Sequence, residues 1–310
     1  MVEIVSMLVI CTRNRPDDLT MALRWVAQSS SRPSVLVADA SDPQVQEKIA
    51  GIVGGSSGCA LLRCSPGLAR QRNQALDWLR AERPDVEVVH FIDDDSQVSS
   101  HYFEEIERTF AADPELAGVG GVLTNHPTPR YVWLKQLFLL YSRVPGRVLS
   151  SGRSTMAHYA DDIPERPDRL SGACMSYRLP LIEGVRFDDR LEGYSIGEDL
   201  FFSFAVSRRH PMAVAPRAAM VHNSSPVNRI SKPELALERL RLVHRWVREN
   251  RDNGLRASHF WLSVVGEVLM RVLGGAAERN RLEMSEGMAI ARAALVTLRS
   301  PLPTDGAQHA

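Results

Sequence analysis

The first 92 residues alternate short apolar runs with amphipathic helical patterns, and this alternation constrains the fold more than any other feature of the chain. Short apolar runs are typical of buried strands, whereas apolar residues spaced three and four apart are typical of helices that cover a sheet. The runs lie at residues 5–11, 34–38, 60–64 and 86–92, and the helical patterns lie at 17–28, 47–53 and 68–81. The alternation predicts an α/β fold with a mixed, mostly parallel sheet flanked by helices.

The alternation weakens after residue 118, and from Lys232 to Leu298 the pattern becomes almost purely helical. A chain of 310 residues is about twice the common domain length, so we expect two domains. We place a sheet domain at residues 1–230 and a helical C-terminal extension at residues 231–310.

Composition excludes several classes of protein. The chain has 44% hydrophobic residues, which argues against disorder, and its 37 basic and 37 acidic side chains leave no excess positive charge for binding nucleic acid. The four cysteines form no Cys-x-x-Cys pair, which indicates reduced thiols and a cytoplasmic protein. The N-terminus lacks the pattern of a signal peptide, and charged residues interrupt the apolar stretches at 132–149 and 260–273, so we expect no membrane span.

Three adjacent carboxylates, Asp93, Asp94 and Asp95, follow the fourth apolar run. Such carboxylates repel one another unless a cation neutralises them, although a solvated acidic turn is an equally good interpretation of an isolated triplet. Side chains alternate along an extended backbone, so Asp93 and Asp95 can share a divalent ion while Asp94 points elsewhere. Polar clusters also follow the first two runs, at Thr12–Arg15 and Asp39–Asp42.

Two later features are weak when taken alone. Glu198 and Asp199 precede an apolar helical pattern, where acidic residues are favoured by the helix dipole without any further role. His222 follows a β-type run, and a single histidine is more often a packed or surface residue than a metal ligand.

Taken together and in order, these features resemble the inverting family 2 glycosyltransferases of the GT-A fold over residues 5–226. The motifs that carry the resemblance are Thr12–Pro16, Asp39, Gly67–Asn73, Asp93–Asp95, Leu170–Ala173, Gly197–Asp199 and His222. The resemblance implies that residues 1–230 form a catalytic domain that binds a nucleotide sugar. It also implies a transferase of the hexosyltransferase class that acts in cell-surface or exopolysaccharide synthesis.

The resemblance implies a role for each matching residue. Asp39 would bind the nucleotide base with Thr12 and Arg13 beside it. Arg72 and Asn73 would lie near the nucleotide or its diphosphate, and Asp94 near the ribose. Asp93, Asp95 and His222 would hold Mg²⁺ or Mn²⁺, although which two of the three aspartates bind metal varies within the family. Asp199 would be the catalytic base, supported by Glu198.

The chemistry of sugar transfer is consistent with these roles. A divalent cation stabilises the charge that builds on a diphosphate leaving group, and a carboxylate can accept the proton of the acceptor hydroxyl. Two alternatives are a nucleotidyltransferase, which usually has a Gly-rich loop where this chain has Cys11–Arg15, and a non-catalytic glycan-assembly scaffold.

Basic and apolar residues alternate in two later segments, 130–149 and 235–251, and the first of these contains no acidic residue. Such segments are typical of helices that lie on an anionic membrane surface. They are equally typical of amphipathic helices that pack on the protein or in a homo-oligomer. Transferases with similar tails commonly act on glycan or lipid-linked glycan acceptors at the inner face of the cytoplasmic membrane. We therefore expect a cytoplasmic protein that is peripheral to the membrane or oligomeric.

Overall fold

The sheet has eight strands in the computed structural model, which describes residues 4–125, 131–155, 166–190, 197–223 and 232–299. The strands are β1 (Ser6–Thr12), β2 (Ser34–Asp39), β3 (Cys59–Arg63), β4 (Val88–Asp93), β5 (Ser96–Val98), β6 (Gly118–Leu123), β7 (Cys174–Arg178) and β8 (Met212–His222). The helices are α1 (Pro16–Ala27), α2 (Pro43–Gly54), α3 (Leu68–Glu82), α4 (Tyr102–Ala112), α5 (Val132–Leu137), α6 (Glu198–Ser207), α7 (Lys232–Glu249), α8 (Ala257–Ala277) and α9 (Arg281–Arg299).

The strand order is β3-β2-β1-β4-β7-β6-β8-β5. The first four strands in this order are parallel, and β6 is parallel to β8, whereas β7 is antiparallel to both of its neighbours and β5 is antiparallel to β8. The predicted mixed, mostly parallel sheet is therefore confirmed. The four predicted strands correspond to β1–β4 and the three predicted helices to α1–α3.

The core lies on both faces of this sheet because side chains alternate along each strand. In β1, Leu8 and Ile10 belong to the apolar cluster on one face, which also contains residues of α1, α2 and α4. Met7 and Val9 belong to the cluster on the other face, which also contains residues of α3 and α6. A strand that is buried on both faces reads as a continuous apolar run, which is why β1 is visible in the sequence.

The carboxyl ends of the parallel strands place the predicted site residues side by side. In the sheet register, Thr12 of β1 pairs with Asp39 of β2, and Cys11 of β1 pairs with Asp93 of β4. The side chain of Gln71 in α3 donates hydrogen bonds to the carbonyls of Thr12 and Ala38, at 3.0 and 2.8 Å. These bonds fix the ends of β1 and β2 relative to each other.

The described residues form two compact units. One contains residues 4–125, 144–147, 155, 166–190 and 197–223, and it holds the whole sheet. The other contains residues 131–143, 148–154 and 232–299, and it holds α5 and α7–α9. The domain boundary predicted at residue 230 lies outside the described residues. The same is true of Arg130, the first residue of the basic and apolar segment 130–149. The helical unit also takes in two earlier segments, which the sequence pattern did not assign to it.

Helix α7 buries its apolar side, including Leu240, Val243 and Val247. The apolar part of segment 235–251 is therefore largely hidden rather than offered as a surface. Helix α8 is the one helix in the described part of the chain that is long and apolar enough to cross a membrane, judged by length and composition alone. Core helices of soluble proteins meet the same criteria.

Candidate active site

A cluster of three possible metal ligands lies at the carboxyl edge of the sheet. Asp93 is the last residue of β4, Asp95 follows two residues later, and His222 is the last residue of β8. One ligand atom from each residue lies within 4.8 Å of the other two. His222 Nε2 lies 3.0 Å from Asp95 Oδ1 and 3.4 Å from Asp93 Oδ2.

The sheet register explains why a histidine so distant in sequence reaches the aspartates. Strand β5 begins directly after the triplet and pairs antiparallel with β8, so that Ser96 lies opposite His222. Burial raises the pKa of Asp93, and the charges of Arg72 and His222 only partly oppose this effect. A cation bound here would offset the cost of burying these carboxylates.

Asp94 points away from this cluster and is held within the protein. Its carboxylate accepts hydrogen bonds from Thr12 Oγ1 at 2.8 Å and from Arg15 Nη1 at 3.0 Å. Burial raises the pKa of Asp94 to about 7, against the opposing effects of Arg15 and Thr12. The three aspartates therefore divide between two environments, and they do so at a turn through Asp94 and Asp95 between β4 and β5 rather than along the predicted extended strand.

Arg72 of α3 is almost completely buried and joins the two acidic parts of the site. Its guanidinium donates to Glu198 Oε1 at 2.5 Å, to Asp93 Oδ1 at 3.4 Å and to the Gly172 carbonyl at 2.9 Å. It also lies over the rings of Phe91 and Phe187. Burial lowers the pKa of Arg72, but the charges of Glu198 and Asp93 outweigh burial and keep the guanidinium protonated.

Glu198 and Asp199 begin α6, directly after Gly197, whose φ of 92° favours glycine. Asp199 Oδ2 accepts hydrogen bonds from Arg169 Nη2 at 2.6 Å and from the Gly172 amide at 3.1 Å. Burial raises the pKa of Asp199, but Arg169 and the Gly172 N–H together bring it below its ordinary value. Burial raises the pKa of the neighbouring Glu198 to about 8. The carboxyl group of Asp199 therefore has the lower pKa of the two.

Gly172 packs closely against Asp199, Glu198 and Arg72. A Cβ atom at this position would lie 3.1 Å from Asp199 Cβ, 3.3 Å from Glu198 Oε1 and 3.4 Å from Arg72 Nη1. A side chain here would crowd all three groups, which accounts for the glycine at this position.

Two loops beside the site are tied to each other. Asn14 has a φ of 56°. Its side-chain Oδ1 accepts a hydrogen bond from the Asp42 backbone N–H, and its side-chain Nδ2 donates one to the Asp42 carboxylate. Its own backbone N–H donates to Ser41 Oγ at 2.9 Å. Arg13 is half-exposed and lies 3.6 Å from Asp42. Hydrogen bonds thus connect the loops after β1 and β2 at the carboxyl edge of the sheet.

Asp39 and Asn73 make internal hydrogen bonds. The buried carboxylate of Asp39 accepts the Ser41 amide at 2.9 Å and pairs with Arg63. The carboxamide of Asn73 donates to the Phe187 carbonyl at 2.9 Å and accepts from the Phe187 amide at 3.0 Å. The structure thus shows Asn73 fixing the backbone at Phe187, and its predicted place near the nucleotide stays a prediction.

A sequence model of the family described as "Glycosyl transferase family 2" matches residues 7–164, which is about half of the chain. The chain belongs to glycosyltransferase family 2. No curated protein sequence matches it significantly.

Solved structures of glycosyltransferases share the fold of this family 2 glycosyltransferase. A mannosyltransferase from Pyrobaculum calidifontis, in complex with GDP-Man and Mn²⁺, superimposes with a TM-score of 0.58 at 14% identity, covering 95% of this chain and 87% of its own. Residues 1–349 of S. aureus TarS superimpose with a TM-score of 0.52 at 16% identity, covering 93% and 80%. The same TarS fragment in complex with UDP-GlcNAc gives a TM-score of 0.53 at 17% identity, covering 93% and 79%.

The structure also shows residues of the candidate site that no sequence pattern singled out. Arg15 binds Asp94, Arg169 binds Asp199, and Arg63 binds Asp39. Arg15 and Arg169 lie within or next to motifs that were recognised, at Thr12–Pro16 and Leu170–Ala173, so position beside a motif was the available signal. Arg63 ends β3, and no local pattern marked it.

Proposed function

We propose that this family 2 glycosyltransferase is metal-dependent and inverting, and that it transfers a sugar from a nucleotide-diphosphate donor to a glycan or lipid-linked glycan. The observation that carries the proposal is the continuous ionic path from Asp93, Asp95 and His222 through Arg72 to the start of α6. This path connects a candidate cation site to a candidate proton acceptor within one cluster. Family membership favours glycosyl transfer over the alternatives of nucleotidyl transfer and a non-catalytic scaffold.

The chemistry of the three ligand atoms fits a divalent cation. Two carboxylate oxygens and one imidazole nitrogen converge within 4.8 Å, and carboxylate oxygens are preferred by Mg²⁺ and Mn²⁺. We infer that Asp93, Asp95 and His222 would hold the cation, and Mn²⁺ is present in the Pyrobaculum calidifontis mannosyltransferase structure. A bound cation would supply Lewis-acid stabilisation of the diphosphate leaving group.

Asp199 is the proposed base. Arg169 and the Gly172 amide hold its carboxylate in one orientation and keep it ionised, which is the form that can accept the proton of an acceptor hydroxyl. Both hydrogen bonds go to Oδ2, so Oδ1 is the oxygen we assign to the acceptor. A base that activates the acceptor directly gives a single displacement, which inverts the configuration at the anomeric carbon.

The donor site is proposed for the loops after β1 and β2. Asp39, with Thr12 and Arg13 nearby, would bind the nucleotide base, and Asp94 would lie on the ribose side of the same edge. The structural neighbours are complexed with GDP-Man and with UDP-GlcNAc, so the comparison supports a nucleotide-diphosphate hexose as a class. We propose hexosyl transfer in the cytoplasm during cell-surface or exopolysaccharide synthesis.

An Asp199→Asn variant tests the base assignment. The carboxamide is nearly the same size but cannot accept a proton, so transfer should fall by about a hundredfold or more while the affinity for the donor stays near that of the wild type. Asp188→Asn, at a carboxylate outside the cluster, serves as the control and should transfer normally. Unchanged turnover by Asp199→Asn would remove Asp199 as the base, and a product that retains the donor's anomeric configuration would contradict inversion.

A further inference from the structure

Helix α8 presents an exposed apolar stripe along one side. Leu262, Val265, Leu269 and Leu273 are spaced three, four and four residues apart, which places them on one face of a helix. Their side chains are between 41% and 64% exposed. Four large aliphatic residues in a row are more than the isolated exposed hydrophobics of an ordinary surface.

Helix α9 carries a second stripe in which apolar and basic residues alternate. Arg281, Met288, Arg292, Leu295 and Arg299 recur at helical spacing, and all five are exposed. The stripe therefore combines aliphatic side chains with three positive charges along about five turns of helix.

The two stripes lie on the same side of the helix pair. Helices α8 and α9 are consecutive neighbours, and their contacts run through Gly275 against Met284 and Gly287 against Val272. Successive residues of an α-helix are rotated by about 100° around its axis. Counted from the contact residues toward higher residue numbers, each stripe is displaced around its helix in the same sense. Because the two helices are antiparallel, this displacement brings both stripes to one side of the pair. Phe138, next to α5, packs on Gly266 at the other edge of the α8 stripe.

Helix α5, whose following residue Phe138 packs on Gly266 of α8, carries two large exposed side chains. Trp133 is 67% exposed and Leu137 is 64% exposed. Tryptophan is enriched where proteins meet the interface of a membrane. We call the surface made by these two residues and the stripes on α8 and α9 the α5–α8–α9 face.

Acidic charge near the middle of α8 and α9 is neutralised inside the unit. Glu267 pairs with Arg153 at 2.6 Å, and Arg271 pairs with both Glu267 and the buried Glu286. These pairs also argue that α8 does not cross a bilayer, because a spanning helix would have to break them in hydrocarbon.

We propose that the α5–α8–α9 face docks on the surface of an anionic lipid bilayer, with α8 and α9 lying along it. The aliphatic side chains would enter the interface while Arg281, Arg292 and Arg299 meet lipid phosphates. A two-fold contact between copies of the chain is disfavoured, because it would bring these arginines of both copies together across one patch. The inference does not depend on the reaction proposed above, since vesicle binding requires no turnover.

Co-sedimentation of the full chain with vesicles tests the proposal. Vesicles of phosphatidylcholine alone are compared with vesicles containing about one-third phosphatidylglycerol, which supplies the anionic surface. Wild-type protein should pellet with the anionic vesicles, and high salt should reduce this binding. Leu269→Asp/Leu273→Asp and Arg292→Glu/Arg299→Glu should each weaken binding by about tenfold or more.

Matched controls place the same changes outside the face. Met21→Asp on α1 and Arg248→Glu on α7 alter exposed residues and should bind vesicles as wild type. Circular dichroism and the melting temperature identify any variant that fails to fold. Three results would overturn the proposal: wild type remaining in the supernatant, folded face variants that pellet like wild type, or light scattering that shows a dimer which Leu269→Asp/Leu273→Asp converts to a monomer without any vesicle binding.

Discussion

At the scale of single residues, Arg72 decides whether the acidic cluster can exist inside the protein. Its guanidinium contacts Asp93 on the metal side and Glu198 on the helix side, and it is 1% exposed. A buried ion pair that loses one partner leaves an uncompensated charge, which is far more costly than removing both partners. Arg72 therefore positions two carboxylates, and its predicted place near the nucleotide or its diphosphate stays a prediction.

Replacing Arg72 should destabilise the fold. Arg72→Met retains much of the apolar contact with Phe91 and Phe187 but removes the charge, so we expect the free energy of unfolding in urea to fall by about 3 kcal/mol. Arg72→Lys keeps the charge without the forked geometry and should lose less. Equal stability of Arg72→Met and wild type would show that the buried carboxylates do not need this partner.

At the scale of an element, α8 depends on the ionic cluster around Glu267. Burial raises the pKa of this carboxyl group, but the charges of Arg153, Arg239 and Arg271 outweigh burial and bring the pKa below its ordinary value. A lowered pKa in the folded state contributes stability above the unfolded value of 4.5, and this contribution is lost as pH falls through the folded-state pKa.

A Glu267→Gln variant tests this contribution through its pH dependence. At pH 7 the free energy of unfolding of the variant should be about 2 kcal/mol lower than that of wild type, because Arg153 loses its partner. The difference between the two proteins should shrink below about pH 4.5, where wild-type Glu267 begins to take up a proton. Glu278→Gln, at an exposed carboxylate, should show little change at either pH. A difference that stays constant with pH would mean that the glutamate acts through packing alone.

Local sequence patterns predict individual strands and helices better than they predict which strands pair in the sheet. Strands β1–β4 are apolar runs bounded by polar residues, so the sequence located them and the site residues at their ends. The antiparallel insertion of β7 between β4 and β6 depends on long-range pairing, which no local pattern encodes. For segment 235–251 the sequence left a membrane surface and a packed helix as alternatives. The structure buries the apolar side of α7, and exposed apolar residues lie on α8 and α9 instead.

At the scale of the whole molecule, the same distinction applies to the site. The resemblance to family 2 glycosyltransferases, drawn from residue types and motif order, predicted Asp93, Asp95 and His222 as one cluster, and their ligand atoms do lie within 4.8 Å of one another. The partners Arg15 and Arg169 could not be derived, since each reaches its carboxylate from a loop whose path follows from the tertiary structure. Equal numbers of acidic and basic residues therefore conceal a site built from paired charges.

The cluster at the sheet edge is proposed to bind a nucleotide sugar together with a divalent cation. A thermal-shift panel of nucleotide-diphosphate sugars, with and without Mn²⁺, tests it most directly, because a ligand that binds the native state raises the melting temperature by mass action. A donor at about 100 times its dissociation constant contributes about 2.7 kcal/mol, which corresponds to a shift of several degrees.

At least one nucleotide sugar should raise the melting temperature of the wild type, and Mn²⁺ should enlarge the shift. His222→Ala should lose the part that depends on Mn²⁺, whereas His101→Ala, at an exposed histidine on the N-terminal side of α4, should keep it. If no nucleotide sugar shifts the wild-type melting curve in either condition, the assignment of this edge as the donor site is contradicted.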